Sequence, residues 1–319
     1  MISLHRFLIQ ERRKFGFINE SGDCVIPCQF DWVSEFSEGF AAVTIGRRHG
    51  LIDIQGNFRP LSMEILQGPV EGLLISQDKS TDKQGVINLD GEIIIPPVYD
   101  SVYSFSEGLA VVKKDDLFGA VNNEGKLVIP LRYNILASHR DGVMPASRPD
   151  GAGYIDRQEQ AIIKFKYLRT YPFSGGRGMI YGFYDNPFGF VNRAGEEVIP
   201  PIYAWANDYT EGLASAAVEL GKLGFIDMEG NWMIQPIYRR VWPFSNGRAP
   251  VTGDPEEMSW GYLSSEGELV IAYEYTEAQP FKNGLALVHG GSPDIYECWS
   301  AYINCDGEVV WGLGESFYP

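Results

Sequence analysis

The side chains of this sequence that could carry chemistry are its four histidines, its four cysteines and its clustered carboxylates. General acid–base catalysis needs a histidine or carboxylate held beside a second polar group. A structural zinc site needs closely spaced cysteine or histidine ligands. The sequence contains no His-Glu-x-x-His segment and no Gly-x-x-x-x-Gly-Lys-Ser/Thr loop. We therefore interpret each candidate residue by its position in the chain.

Two segments near the C-terminal end, 253–259 and 290–298, are rich in acidic residues. The second also contains a tyrosine, a residue type that often anchors protein interfaces. We predict that six side chains of these segments form the contact patch for a basic protein. They are Asp254, Glu256, Glu257, Asp294, Tyr296 and Glu297. The alternative is that the segments are solvated insertions with no binding role.

The charge balance of the chain favours such a partner. The chain has 26 lysines and arginines and 42 aspartates and glutamates, which gives a formal net charge of −16. An acidic surface repels nucleic acid and anionic membranes and attracts basic proteins. We therefore expect a protein partner and neither nucleic-acid nor membrane binding.

The cysteines and the chain's hydropathy predict a cytoplasmic protein, which we also expect to be a monomer without a cofactor. Four cysteines in 319 residues do not make a disulfide framework. Cys24 and Cys28, and Cys298 and Cys305, are spaced poorly for zinc, so we predict no metal site. No apolar run has the length of a spanning helix or the form of a secretory signal.

A repeat of about 35 residues runs through the whole chain. Its origin is the glycine of segments such as Phe15-Gly16-Phe17-Ile18-Asn19. Equivalent positions are Gly50, Gly85, Gly119, Gly153, Gly189, Gly224 and Gly261, with a degenerate ninth at Ala301. The pattern predicts one domain over residues 1–319.

Other positions keep a fixed distance from the origin glycine. A second glycine follows six residues later in every unit except the fifth, which has Glu159. An aromatic residue follows fourteen residues later in most units, and Glu64 replaces it in the second. A residue that fills a repeated slot is interpreted as structural.

The sequence of each repeat predicts three short antiparallel strands and no helix. Segments 118–122 and 126–130 are rich in β-forming residues and flank an Asn-Glu-Gly turn. An irregular stretch then ends in Phe-Ser-Glu-Gly at 105–108 and its equivalents, and a third strand follows, as at 109–113. The predicted fold class is all-β, an array of about nine three-stranded antiparallel meanders.

The array could be an open, curved solenoid-like form or a closed, propeller-like form. About 35 residues is short for the roughly 40–45 of a four-stranded propeller blade, and nine exceeds the usual number of blades. These arguments favour the open form.

The repeated run resembles the bacterial WG-repeat family. The third unit carries the resemblance most fully, in Gly91-Glu-Ile-Ile-Ile-Pro-Pro-Val-Tyr-Asp100 and Ser104-Phe-Ser-Glu-Gly-Leu-Ala-Val-Val112. The tryptophan before the origin glycine is present only at Trp260. The resemblance implies a repeat scaffold without a common chemistry, in some cases beside toxin and conflict systems.

The repeat assigns structural roles to the histidines and carboxylates that would otherwise suggest catalysis. His139 occupies a slot that is phenylalanine in five other units, and His49 occupies the slot of Phe15, Phe118 and Trp260. We predict that both are core substitutions. The acidic residue of Phe-Ser-Glu-Gly recurs, so we predict turn capping or a solvated face for Glu38, Glu71, Glu107, Asp141 and Glu211.

The predicted function is therefore that of a non-catalytic protein-binding scaffold, such as an immunity protein that neutralises a bacterial toxin. Length variation is concentrated in the loops between the third strand and the next hairpin. Repeat proteins often carry specificity on such loops, which we expect to line one edge of the array. The alternative is a carbohydrate or cell-envelope binding module that uses the many tyrosines and tryptophans.

Overall fold

The chain forms β-structure throughout the part that the structure describes. A computed structural model describes residues 7–11, 13–182, 188–253, 259–291 and 299–313, and every regular element in these ranges is a strand. Within the same ranges, no helix is long and apolar enough to cross a membrane. Internal contacts divide the chain into two compact units, each of which contains several repeats. From here on, the first unit is Met1–Lys166 and the second unit is Tyr167–Pro319.

The first unit contains five antiparallel sheets whose strands follow one another along the chain. Sheet 1 consists of β1 (Phe7–Glu11), β2 (Lys14–Ile18) and β3 (Cys24–Phe30). Sheet 2 consists of β4 (Trp32–Val33), β5 (Phe40–Ile45), β6 (Arg48–Asp53) and β7 (Phe58–Leu61). Sheet 3 consists of β8 (Glu64–Ile65), β9 (Leu73–Asp78), β10 (Lys83–Asn88) and β11 (Ile93–Tyr99). Sheet 4 consists of β12 (Ser101–Val102), β13 (Leu109–Lys114), β14 (Leu117–Asn122) and β15 (Leu127–Tyr133). Sheet 5 consists of β16 (Ile135–Leu136), β17 (Met144–Arg148), β18 (Gly151–Ile155) and β19 (Ala161–Tyr167), which ends at the unit boundary.

The second unit contains four sheets of the same kind. Sheet 6 consists of β20 (Arg169–Ser174), β21 (Arg177–Tyr181), β22 (Phe188–Val191) and β23 (Glu197–Tyr203). Sheet 7 consists of β24 (Trp205–Ala206), β25 (Ala214–Ala217), β26 (Leu223–Ile226) and β27 (Trp232–Tyr238). Sheet 8 consists of β28 (Arg248–Thr252), β29 (Trp260–Ser264) and β30 (Leu269–Tyr275). Sheet 9 consists of β31 (Glu277–Ala278), β32 (Leu285–Gly290), β33 (Trp299–Asn304) and β34 (Val309–Leu313).

Most repeats contain one strand more than the sequence predicted. Before the Phe-Ser-Glu-Gly turn, two residues pair with the third strand, as when Ser101 and Val102 pair with Lys113 and Val112. Two residues are too few to show a periodic pattern, which is why the prediction missed them. A four-stranded meander is the usual blade of a β-propeller. The repeat length is therefore no argument against a propeller, because the added strand needs only two residues.

The origin glycine is required by a bulge between the two strands of most hairpins. In sheet 4, Phe118 pairs with Tyr133 but Ala120 pairs with Ile129, so three residues of β15 lie opposite Gly119. A Cβ atom on Gly119 would lie 2.5 Å from the carbonyl oxygen of Ile129. Only glycine allows the folded backbone to approach so closely.

The turn of each hairpin is closed by a side chain. In sheet 4, the side-chain oxygen of Asn122 accepts hydrogen bonds from the amides of Glu124 (3.1 Å) and Lys126 (2.8 Å). Gly125 follows with a φ of 81°. Equivalent side chains close other hairpins, namely Asn19, Asp53, Asn88, Asp156, Asn192, Asp227 and Asn304. The predicted turn is confirmed, and these aspartates have a structural role.

The core of each unit lies between consecutive sheets. In β13, Ala110 and Val112 pack toward sheet 3, whereas Leu109 and Val111 pack toward sheet 5. Successive side chains of a strand point to opposite faces, so a strand buried on both faces is apolar along its length. The apolar third strands of the repeat therefore occupy the interior of the sheet stack in each unit.

Replacing Gly119 by alanine is expected to destabilise the fold by about 1–3 kcal/mol. The new methyl group would overlap a backbone carbonyl, and no side-chain rotation can relieve this overlap. The control is Asn123→Ala, at an exposed position of the same hairpin, which is expected to change stability by less than about 0.5 kcal/mol. Urea unfolding of both variants measures the difference. Equal stabilities would contradict the role given to the origin glycine.

Candidate functional site

The third strand of each repeat joins the next hairpin at one end of the sheet, which we call the loop edge. In sheet 4 the connection is tight, since Lys114 pairs with Leu117. In sheets 8 and 9 the last pairs before the loop are Thr252 with Trp260 and Gly290 with Trp299. The predicted concentration of length variation at the loop edge is therefore confirmed.

The predicted contact patch belongs to the two longest of these loops. Its residues Asp254, Glu256, Glu257, Asp294, Tyr296 and Glu297 lie outside the residues that the structure describes. The strands that carry the two loops are described.

The bases of both acidic loops share one aromatic anchor, Tyr275. Trp260, at the base of the first loop, is buried and pairs with Tyr275 across the ladder of sheet 8. Trp299, at the base of the second loop, meets the same tyrosine edge to face with ring centroids 6.2 Å apart. The two loops of the second unit therefore start from neighbouring points on a packed aromatic cluster.

An exposed apolar patch lies at the loop edge of sheet 7. It consists of Val218 and Leu220, in the loop between Ala217 and Leu223, and of Ile237 near the end of β27. Leu220 and Ile237 are each 72% exposed. Ile237 precedes Tyr238, which pairs with Leu223 at the end of that loop.

Sheet 7 packs directly on sheet 8 through a common core that includes Phe225 and Leu263. The apolar patch therefore lies one sheet away from the first acidic loop. The sequence analysis missed this patch. Its available signal was two apolar residues flanking Glu219 in a segment that breaks strand alternation.

The recurring acidic residues of the first unit form a carboxylate ladder between repeats. The carboxylate of Glu38 accepts hydrogen bonds from the backbone amides of Glu71 (2.7 Å) and Gly72 (2.9 Å) in the next repeat. Glu71 in turn accepts from the amide of Gly108 at 2.9 Å. Each ladder residue therefore caps the turn that holds the next one.

The ladder continues in the same form through Glu107, which accepts from the amides of Asp141 (2.8 Å) and Gly142 (3.1 Å). In the second unit, Glu211 accepts from the amides of Asn246 (2.8 Å) and Gly247 (2.9 Å). Asn246 then accepts from the amide of Gly284 at 2.8 Å. The predicted turn capping is confirmed for Glu38, Glu71, Glu107 and Glu211, whose carboxylates are engaged by the backbone.

His139 is buried in the phenylalanine slot, as predicted, with 2% of its surface exposed. Its Nδ1 lies 2.8 Å from a carboxylate oxygen of Glu107. Burial lowers the pKa of His139, and Arg157 acts in the same direction, although the charge of Glu107 opposes both. The neutral imidazole is therefore favoured in the fold.

His49 is partly buried, as are Phe15 and Phe118 in the same slot. It also lines a cavity whose other lining residues come from sheets 2 and 3 and the segments between their strands. Its Nδ1 lies 3.0 Å from the hydroxyl of Thr44, and its Nε2 lies 3.3 Å from the ammonium group of Lys79. Polar partners at both ring nitrogens distinguish it from the aromatic residues of the same slot.

The described cysteines are separate thiols. Cys24 is exposed, and Cys28 and Cys305 are partly buried; Cys298 lies outside the described residues. Burial raises the pKa of the Cys305 thiol. Among the residues that the structure places, no three His, Cys, Asp or Glu side chains converge as metal ligands do.

A family model described as WG containing repeat matches six segments of the chain. They are residues 15–47, 85–118, 153–180, 188–222, 224–252 and 260–288. No curated protein sequence matches the chain.

Among solved structures, the chain is similar to one titled the crystal structure of the eukaryotic initiation factor. The TM-score is 0.68 at 12% identity, and the match covers 97% of this chain and 96% of that one. This likeness shows a shared fold. A weaker match is BamB from Moraxella catarrhalis, with a TM-score of 0.42 at 11% identity, covering 84% of this chain and 95% of that one. Apo AztD from Citrobacter koseri gives 0.38 at 13% identity, covering 82% and 91%.

Replacing Glu211 by glutamine is expected to lower the free energy of unfolding by about 1 kcal/mol, because one of two capped amides then faces an NH₂ group instead of an oxygen. The control is Glu229→Gln, in an exposed hairpin turn, which is expected to leave stability unchanged. Urea unfolding compares the two. A loss in both variants, or in neither, would contradict the ladder's role.

Replacing His139 by phenylalanine is expected to remove a pH dependence of stability. Because the folded-state pKa of His139 is lowered, its contribution is complete above the ordinary histidine pKa of about 6.5 and is lost as the pH falls below it, by up to about 1.4 kcal/mol per pH unit. Unfolding free energies at pH 7.5 and 5.5 should therefore differ less in the variant than in the parent protein. If the unfolding free energies of the variant and the parent protein changed equally with pH, folding would not change the pKa of His139, and the prediction would be wrong.

Proposed function

This chain belongs to the family of proteins built from WG containing repeats, and we propose that it is a non-catalytic scaffold that binds a basic protein at the loop edge of its second unit. The observation that carries this proposal is the apolar patch formed by Val218, Leu220 and Ile237. It lies one sheet from an acidic loop whose ends are held by buried residues. An apolar centre with a charged surround is the usual composition of a protein-binding surface.

Electrostatics supports a basic partner. The ladder carboxylates and the turn aspartates are engaged by backbone amides, whereas segments 254–258 and 292–298 add five carboxylates to the loop edge by sequence. With a net charge of −16, the chain attracts a cationic surface over several ångströms and raises the association rate. Rigid loop bases would reduce the entropy lost on binding.

A toxin-neutralising immunity protein is the specific function that we propose within this class. An inhibitor of a basic enzyme gains fast association and specificity from complementary charge. The mechanism is occlusion: the apolar patch would take the central contacts, and the acidic loops would pair with basic groups around them.

Carbohydrate or cell-envelope binding is the alternative. Its support is a set of partly exposed aromatic side chains, Trp32, Tyr103 and Trp242. They belong to or adjoin sheets 2, 4 and 8, so no two of them share a sheet on which a sugar could stack. The apolar patch contains aliphatic side chains, which favours a protein partner.

A binding experiment on matched charge variants tests the proposal. The tagged protein is used to capture its partner, and the purified partner is then titrated by biolayer interferometry at low and high salt. The combined variant Asp254→Asn, Glu256→Gln, Glu257→Gln is expected to lower the association rate about tenfold at low salt. Leu220→Ser is expected mainly to speed dissociation, because it removes an apolar contact.

The matched control is Glu124→Gln, Glu229→Gln, Asp306→Asn, which changes the same net charge at exposed hairpin turns away from the loop edge. It should bind as the parent protein does. An equal loss of association rate in both triple variants would show that only the net charge of the protein matters. Unchanged binding by the loop variant and by Leu220→Ser would show that the interface lies elsewhere. A partner that is a glycan would favour the alternative function.

A further inference from the structure

Sheet 2 departs from the repeat in its outermost strand. Outer strands such as β3, β11, β15 and β23 have seven residues and a bulge opposite the origin glycine. Strand β7 has four residues, and its ladder with β6 is regular from His49–Leu61 to Ile52–Phe58. The end of the sheet that bulged strands cover elsewhere is therefore left open.

The same repeat lacks an aromatic pair. In other sheets the residue before the origin glycine lies opposite the aromatic residue fourteen positions after it, as in Phe118–Tyr133, Phe188–Tyr203 and Trp260–Tyr275. Here the two slots hold His49 and Glu64, and Glu64 pairs with Gln77 in sheet 3 instead. Loss of two aromatic side chains, each of which buries roughly 150–250 Å² when packed, opens space between the sheets.

A cavity of about 960 Å³ occupies this space between sheets 2 and 3 of the first unit. Its lining includes the polar side chains of Arg47, His49 and Glu64 and the apolar side chains of Met63 and Ile93. The size is in the upper part of the range for small-molecule sites, about 300–1,000 Å³. Because its walls come from two sheets with a common buried core, the cavity is part of the folded unit.

The polar groups of the wall are ordered by Lys79. Its ammonium group lies 3.4 Å from the carboxylate of Glu64 and 3.3 Å from Nε2 of His49. Since an ammonium group only donates, Nε2 is the acceptor and Nδ1–H donates to Thr44. These two contacts fix the orientation of the imidazole ring.

The cavity lining contains two cations, Arg47 and Lys79, and two carboxylates, Glu64 and Asp78. Glu64 is balanced by Lys79, and the carboxylate of Asp78 accepts hydrogen bonds from the amide (2.8 Å) and hydroxyl (2.7 Å) of Ser80 within its own loop. Arg47 has no ion-pair partner among the described residues. An anionic group that enters the cavity thus finds, among the described residues, one guanidinium that is not engaged in an ion pair.

The lining also contains apolar side chains that a ligand could cover. Ile93 is 58% exposed although it lines the cavity, and Met63 is partly buried against the core below. A ligand that contacts both the cations and these side chains has an anionic head and an apolar body. Its head would bind near Arg47 and Lys79, and its body would cover Ile93 and Met63.

We propose that this cavity is a binding site for a small organic acid, a carboxylate joined to a branched apolar group. The site is separate from the loop edge of the second unit and does not depend on the proposed partner. The carboxylate could come from a free acid or from the C-terminal residue of a peptide, since both present the same chemistry to Arg47.

The test is titration of the full-length protein by isothermal calorimetry and saturation-transfer NMR. The probes are 4-methylpentanoate for a free acid and N-acetyl-leucine for a peptide terminus, each compared with its uncharged amide. Both carboxylates are expected to bind saturably, and each amide at least about tenfold more weakly, because the guanidinium–carboxylate contact is lost. Stronger binding of one carboxylate identifies the source of the ligand.

Variants of the site separate this proposal from nonspecific attraction. Arg47→Gln is expected to weaken carboxylate binding at least about tenfold, whereas Lys114→Gln, at the corresponding turn of sheet 4, should leave it unchanged. His49→Phe restores the residue type that fills this slot elsewhere and removes the contact that holds Lys79, so it should weaken carboxylate binding without loss of thermal stability.

Equal binding of acid and amide, equal effects of Arg47→Gln and Lys114→Gln, or no saturable binding of either carboxylate would overturn the proposal. Undiminished binding in a folded His49→Phe variant would also overturn it, because that variant lacks the side chain that holds Lys79 at the cavity wall.

Discussion

The structure depends on carboxylates that hold the turn of the following repeat. Glu38, Glu71, Glu107 and Glu211 each have a left-handed backbone conformation, which costs roughly 1–2 kcal/mol for a residue other than glycine. Their side chains accept hydrogen bonds from the equivalent turn one repeat later, which offsets this cost. The turns are thus fixed in register with one another, and the apolar third strands that follow them are buried at the spacing that face-to-face packing requires.

A scaffold of this kind separates residues that maintain the repeat from residues that are free to vary. The origin glycine leaves room for a close backbone contact, and the hairpin side chain and the ladder residue accept hydrogen bonds from backbone amides. The loop edge carries no such constraint, because the strands pair before the loop begins. Variation in length and charge at that edge leaves the core intact, which is the physical basis for placing partner recognition there.

The irregular second repeat shows the other way in which function can arise in a repeat fold. A shorter outer strand and the loss of one aromatic pair open a cavity without removing the core beneath it, since Ala42, Leu51 and Leu74 remain buried between sheets 2 and 3. Polar groups then occupy the open space and order one another through Lys79. The cavity, like the long loops of the second unit, is therefore a departure from the repeat, supported by sheets that obey it.

By itself, the sequence determined the all-β class, the hairpin turns, the origin glycine and the capping role of the acidic turn residues. These features depend on contacts between residues at fixed offsets, so their repetition along the chain identifies them. It also placed His139 correctly, because a slot that is aromatic elsewhere predicts burial. Only the tertiary structure decided the two-residue strands, the exposure of Leu220 and Ile237, and the cavity around His49. The first are too short for a periodic pattern, and the others depend on which neighbouring sheet covers a side chain, which spacing along one repeat does not specify.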